Sequence, residues 1–185
     1  ALVPFVLIGA AFWAGAIPFG VLIARRRGIS IQEHGSGNIG ATNVARVLGA
    51  RVGLLVLLLD AAKGAVPVAV AYALAMDPWL IALTGFAAIG GHCFSPFLGG
   101  KGGKGVATAL GVFLVIEPRL VAIAVIVFAV VLRVTRVPAL GSLAAVLSIS
   151  AVLVARGDGP YAALACTTTA LLVYTHRTNL AKLRD

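Results

Sequence analysis

The run Gly35-Ser36-Gly37-Asn38-Ile39-Gly40-Ala41-Thr42-Asn43 packs three glycines, two asparagines, a serine and a threonine into nine residues, with Arg46 just downstream. Glycine lets backbone N–H groups come close to a ligand, and turns of this composition form concave nests for anions. Ser36, Asn38, Thr42 and Asn43 add hydroxyls and amides. Arg46 adds a planar fork suited to phosphate or carboxylate. The plainer alternative is a connecting turn with Ser and Asn as helix caps, but caps do not call for this density of small polar residues.

A second loop, GGKGGKG from Gly99 to Gly105, holds five glycines and two lysines in seven residues and opens a helix. Lys101, Gly102, Gly103 and Lys104 there offer N–H groups, a helix N-terminus and two ammonium groups, a combination that favours phosphate. It is not a Walker loop. The glycine required five places before Gly103 is Leu98, and Gly105 follows Lys104 where Ser or Thr is needed. The alternative is a flexible basic connection between helices.

A third cluster closes the chain, THRTNLAKLR from Thr175 to Arg184. His176 and Asn179 are three apart and share a helical face, with Arg177 and Lys182 beside them. A histidine here either caps the helix or, facing two anion-binding loops, binds phosphate or moves a proton. Asp60 and Lys63 are also three apart on one helix. They pair with each other or with the first loop, in a structural or a functional role. His92, in GHCFSPF, adjoins Cys93, but helical neighbours point in different directions and make no nucleophile dyad. Ser95-Pro96 reads as a helix breaker that positions the lysine loop. The histidines have no carboxylate or cysteine at ligand spacing, so no metal site is expected.

The elements that must position these clusters are apolar. Hydrophobic residues make up 61% of the 185, charged residues 11%, and mean hydropathy is +1.06. A soluble domain carries roughly 25% charged residues, so the composition predicts a polytopic all-α membrane protein. Seven apolar stretches can be drawn, near 2–24, 52–75, 79–98, 105–116, 119–132, 137–155 and 160–176. The fourth and fifth are short for a crossing. The rival is five spans with 105–132 as one broken or re-entrant element; Glu117-Pro118-Arg119 favours a turn outside the membrane, hence seven. The first stretch has no basic residues before it and reads as a spanning helix rather than a signal peptide. Cys93 and Cys166, both in apolar runs, read as small buried residues.

Charge sets the orientation. With the N-terminus outside, 12 of the 15 Lys and Arg fall on inner segments: Arg25, Arg26, Arg27, Arg46, Arg51, Lys101, Lys104, Arg133, Arg136, Arg177, Lys182 and Arg184. This satisfies the positive-inside rule and puts all three polar clusters on the cytoplasmic side. The net charge of +9 therefore has a membrane explanation, and no basic stripe interleaved with aromatics points to nucleic acid. No repeat or linker divides residues 1–185, which read as one domain.

Taken in order, GSGNIGATNVAR, Asp60-x-x-Lys63-Gly64, GHCFSPF leading into KGGKGVAT, and the terminal HRTN resemble the bacterial acyl-phosphate:glycerol-3-phosphate acyltransferases, the PlsY family. The match runs from the first helix to the C-terminus. It implies a seven-helix inner-membrane enzyme that moves a fatty acyl group from acyl phosphate to the 1-hydroxyl of glycerol 3-phosphate, releasing lysophosphatidic acid and phosphate, with no cofactor. The soluble-type acyltransferases carry Asp five places after His; here those places hold Ile39, Phe97 and Ala181. By resemblance, Ser36, Arg46, Lys104, His176 and Asn179 are the catalytic set, around glycerol 3-phosphate. Asn38, Gly40, Thr42, Asn43, Lys101, Gly102, Gly103, Ser142 and Arg177 complete substrate binding, and the acyl phosphate lies near Asn38, Thr42, Gly103 and Ser142. The acyl tail occupies an apolar groove between helices. Implied partners are the two substrates, the bilayer and, transiently, the enzyme that makes the acyl phosphate.

Acyl phosphate is an activated mixed anhydride, so positioning and charge stabilisation suffice without an acyl-enzyme. The proton goes either to His176 or to a substrate phosphate. The second route is favoured because no carboxylate stands by to orient a base. Two other classes compete: an anion transporter built on glycine-broken helices, and a scaffold subunit. Clustering on one side and the lack of an inverted repeat argue against the first; three polar clusters argue against the second.

Overall fold

The computed structural model describes residues 2–181; Lys182 and Arg184 lie outside the described residues. Among these are nine α-helices and no strand: α1 Val3–Ala16, α2 Phe19–Arg25, α3 Ala41–Leu48, α4 Ala50–Ala73, α5 Pro78–Cys93, α6 Val106–Ile116, α7 Pro118–Thr135, α8 Pro138–Ala155 and α9 Gly159–Ala181. Local sequence dictates most boundaries. Pro18 lacks an N–H and forces Ile17 out of the helical region (ψ 118°), so the first apolar stretch breaks into α1 and α2. Asp77 caps α5 by accepting from the Trp79 N–H at 2.9 Å, and Pro78 occupies the first turn. Proline likewise opens α7 and α8.

Five segments are long and apolar enough to cross a membrane: Val3–Arg25, Ala50–Ala73, Pro78–Leu98, Pro118–Thr135 and Pro138–Ala155. The all-helical membrane fold is as expected, while length and composition among the described residues confirm five of the crossings rather than seven. α6, at 11 residues, rises only about 16 Å at 1.5 Å per residue, short of the ~30 Å hydrocarbon layer. α9 is long enough at 23 residues but carries Thr167–Thr169, His176, Arg177 and Asn179. The fifth stretch, in turn, is longer than its apolar run. The helix continues through Arg133 to Thr135, because a basic side chain at a helix end reaches the interface. Glu117 alone joins α6 to α7, so 105–132 holds two helices that meet at the Glu117-Pro118 turn.

The helices approach closely where glycines face backbone. A Cβ on Gly15 would strike Ala88 and one on Gly91 would strike Phe12, which fixes the α1–α5 contact. Gly64 lies against Thr108 and Gly111 against Ala61, which does the same for α4 and α6. Small residues drive such packing in membranes, where apolar burial itself gives little. The main core joins Val68, Ile89, Val112, Phe113, Leu153 and Leu164; a smaller one, with Ile31, Ile39, Val44 and Val56, underlies the first polar loop. Large apolar side chains on the outer faces, such as Leu58, Ile126 and Val130, are exposed as a lipid-facing surface requires. Cys166 is among the exposed residues, contrary to expectation, whereas Cys93 is buried.

Candidate active site

The first polar loop is organised by Asn43, which is 2% exposed on the first turn of α3. Its Nδ2 donates to the carbonyls of Asn38 (2.9 Å) and His34 (3.0 Å), with a longer contact to Ile31. Its Oδ1 accepts from the Ser36 N–H at 2.8 Å. Gly35 and Gly37 sit at φ +62° and +72°, conformations that a side chain would strain, and a Cβ on Gly35 would collide with the Asn43 amide. Asn38 Oδ1 accepts from the Gly40 N–H at 2.8 Å, turning the chain into α3. Asn43 thus holds the loop together. On α3 and in this loop, Ser36, Thr42 and Arg46 are exposed at the mouth of a cleft.

The lysine loop is built differently from the nest that its glycines suggest. The Gly102 and Gly103 N–H groups donate to the carbonyls of Cys93 (3.1 Å) and His92 (3.0 Å) at the end of α5. A Cβ on Gly103 would collide with the His92 ring. These glycines permit close packing, and their N–H groups are already engaged. Lys101 is exposed and does not line the cleft. Lys104 does: its Nζ donates to Asn179 Oδ1, and its carbonyl accepts from Thr175 Oγ1 at 3.1 Å.

From α9, His176 is 3% exposed and its Nδ1 lies 2.8 Å from the Leu172 carbonyl. A carbonyl only accepts, so Nδ1 carries the proton and a neutral ring keeps Nε2 as its acceptor. Arg177 points away, with one Nη donating to the Tyr174 carbonyl at 2.9 Å and the guanidinium 4.0 Å from the Tyr174 ring centre. It does not line the cleft.

The cleft has a volume of about 670 Å³. It brings together Ser36, Asn38, Gly40, Thr42, Asn43, Arg46, Asp60, His92, Lys104, Ser142, His176 and Asn179, and leaves out Lys63, Lys101, Gly102, Gly103 and Arg177. Ser142 is 8% exposed and donates to the Pro138 carbonyl at 3.0 Å. Apolar side chains of α4, α6, α7 and α8 continue the lining: Leu54, Leu57, Leu110, Phe113, Val125, Phe128 and Val146. The sequence points to a groove between helices but not to these residues, because nothing in a uniformly apolar span separates a groove wall from a lipid face.

Asp60 and Lys63 pair with each other, 2.9 Å apart and both buried, which settles the alternative left open by their spacing. Lys63 Nζ also donates to the Ile17 carbonyl at 2.9 Å, and Ser95 Oγ donates to the Ala16 carbonyl at 2.6 Å. Two carbonyls at the break before Pro18 thus find side-chain donors inside the bundle, as hydrocarbon demands. Among the described residues no group of His, Cys, Asp and Glu is arranged to hold a metal ion.

An all-helical membrane protein whose cleft joins a cationic, hydroxyl- and amide-rich end to an apolar channel belongs to the class of membrane enzymes that act on lipids. Comparison with known proteins narrows the class. The glycerol-3-phosphate acyltransferase family profile matches residues 5–185, and the chain belongs to that family. The glycerol-3-phosphate acyltransferase of Myxococcus xanthus is 48% identical over 182 residues, covering 96% of this chain and 93% of the relative. That of Aquifex aeolicus is 39% identical over 94% of this chain and 91% of the relative. Two crystal structures of PlsY, an integral membrane glycerol 3-phosphate acyltransferase, superpose with TM-scores of 0.93 (glycerol 3-phosphate form) and 0.91 (lysophosphatidic acid form). Each is 37% identical and covers 97% of this chain and 91% of the PlsY chain.

Proposed function

We propose that this enzyme transfers a fatty acyl group from acyl phosphate to the 1-hydroxyl of glycerol 3-phosphate, forming lysophosphatidic acid and inorganic phosphate. The observation that carries the reading is the continuity of the cleft. A polar end lined by Ser36, Arg46, Lys104, His176 and Asn179 suits a phosphate, and the channel beginning at Leu54 and Phe113 suits an acyl chain. The relatives' PlsY structures in glycerol 3-phosphate and lysophosphatidic acid forms support the acceptor and product.

In this reading Ser36, Arg46, Lys104, His176 and Asn179 hold glycerol 3-phosphate. The acyl phosphate lies toward Asn38, Thr42 and Ser142, with Gly103 contributing the close packing that places Lys104. The acceptor hydroxyl attacks the acyl carbon, the bond from that carbon to the phosphate oxygen breaks, and phosphate leaves carrying the hydroxyl proton. Atoms and charge balance without a further base. Catalysis then rests on positioning and on cations facing the departing phosphate. His176, held through Nδ1 by Leu172, turns its remaining ring nitrogen to substrate binding.

The exposed arginines at 25, 26, 27, 133 and 136 support an inner-membrane orientation with this end in the cytoplasm. A cytoplasmic mouth also gives the enzyme that makes the acyl phosphate a place for transient contact. The donor assignment is tested by offering the purified protein labelled glycerol 3-phosphate with acyl phosphate or with acyl-CoA. Product with acyl phosphate alone supports it; equal product with acyl-CoA overturns it.

A further inference from the structure

Asp60, Lys63 and His92 take no part in the chemistry above, yet they are buried in the membrane-spanning bundle and touch one another. Lys63 Nζ is 2.9 Å and His92 Nδ1 is 3.8 Å from the same Asp60 oxygen, Oδ1. The side chains of Asp60 and His92 contribute to the cleft wall, but Asp60 Oδ1 and His92 Nδ1 are closed to solvent. A substrate cannot reach those two atoms, so they act, if at all, through neighbours.

The neighbours are specific. On one side Lys63 holds the Ile17 carbonyl at the α1–α2 break. On the other, the His92 carbonyl accepts the Gly103 N–H at 3.0 Å, and Gly103 packs so closely on the His92 ring that a Cβ would collide with it. Lys104 is the next residue. A chain of close contacts therefore runs from the helix break through α4 and α5 to the loop that carries Lys104: an ion pair at Asp60–Lys63, a 3.8 Å approach without a hydrogen bond at Asp60–His92, and packing of the His92 ring on Gly103.

We propose that Asp60, Lys63 and His92 form a positioning bracket that ties the α1–α2 break to the lysine loop and thereby sets Lys104 in the cleft. Buried ion pairs give little net stability, and fixing a unique arrangement is among their better-attested uses. The inference rests on the reading above in which Lys104 holds the phosphate of glycerol 3-phosphate.

The test is steady-state kinetics of Asp60→Asn, His92→Gln and Lys104→Ala, varying each substrate in turn. If the bracket acts through Lys104, Asp60→Asn and His92→Gln raise the KM for glycerol 3-phosphate by about tenfold and leave that for acyl phosphate within roughly twofold, as Lys104→Ala does. A merely structural role reduces the active fraction, lowering apparent kcat with both KM values unchanged; that result overturns the proposal. If Asp60→Asn does not fold, the Asp60→Asn/Lys63→Met double variant removes both charges together and carries the same expectation. Should Lys104→Ala raise the KM while the bracket variants do not, the bracket fails and the site reading stands. Should Lys104→Ala itself leave the KM unchanged, the site reading fails and takes the bracket with it.

Discussion

Lys104, on the glycine-rich loop, and Asn179, near the end of α9, lie 75 positions apart in the chain and are joined side chain to side chain, Nζ donating to Oδ1. Thr175, one helical turn earlier, donates to the Lys104 carbonyl. Both ends of the lysine residue are thus anchored to the same helix that supplies His176. A flexible ammonium becomes a directed one, and less rotamer entropy remains to be lost when phosphate arrives.

Asn179→Ala removes the side-chain anchor and leaves Lys104 in place. The KM for glycerol 3-phosphate should rise by roughly tenfold, the value of one lost charged hydrogen bond, with a smaller change in kcat. Kinetics against glycerol 3-phosphate concentration check this; an unchanged KM would separate Asn179 from substrate binding.

His176→Gln distinguishes the two proton routes. If phosphate takes the proton, the variant loses glycerol 3-phosphate affinity and rate together. If His176 is the base, kcat falls by about 10²–10⁴-fold while glycerol 3-phosphate binding stays as in the wild type. Direct binding measurements beside kcat decide the matter.

Two adjacent glycines on α5 should respond in opposite ways. Gly90 has open space where a Cβ would go, whereas a Cβ on Gly91 would strike the Phe12 backbone. Gly90→Ala should be neutral or stabilising by up to about 1 kcal/mol. Gly91→Ala should push α1 from α5 at a cost of about 1–3 kcal/mol. Thermal unfolding in one detergent compares them; equal midpoints would contradict the α1–α5 contact.

Ala124 on α7 is buried and lines the apolar channel. Ala124→Phe should shorten the longest acyl chain accepted, leaving activity on shorter chains within about threefold; each methylene that no longer fits costs about 10–200-fold in discrimination. A chain-length series of acyl phosphates measures it, and an unchanged profile would put the tail elsewhere.

The candidate site residues were legible because polar groups stand out against an apolar chain. The five residues that the resemblance implies as the catalytic set, Ser36, Arg46, Lys104, His176 and Asn179, all line one cleft. Roles within the motifs were less legible. Asn43 and Asn38 share a residue type and a loop, yet Asn43 is the buried organiser, a distinction set by which way α3 turns its first residues. Gly102 and Gly103 read as an anion nest, but their N–H groups donate to the Cys93 and His92 carbonyls at the end of α5. The short helix α3 was hidden inside a polar segment, and the link between Asp60 and His92 spans α4 and α5, beyond any local spacing. Length and apolar composition do not confirm a crossing at α6, because they do not tell a short crossing helix from one packed within the bundle.

The central claim is most directly tested by giving the purified protein, in detergent or lipid, acyl phosphate with and without glycerol 3-phosphate, and following phosphate and lysophosphatidic acid together. Acyl transfer predicts equal amounts of both products, and neither above background when glycerol 3-phosphate is left out. Phosphate released at the same rate without the acceptor, or no turnover by folded protein, would contradict it.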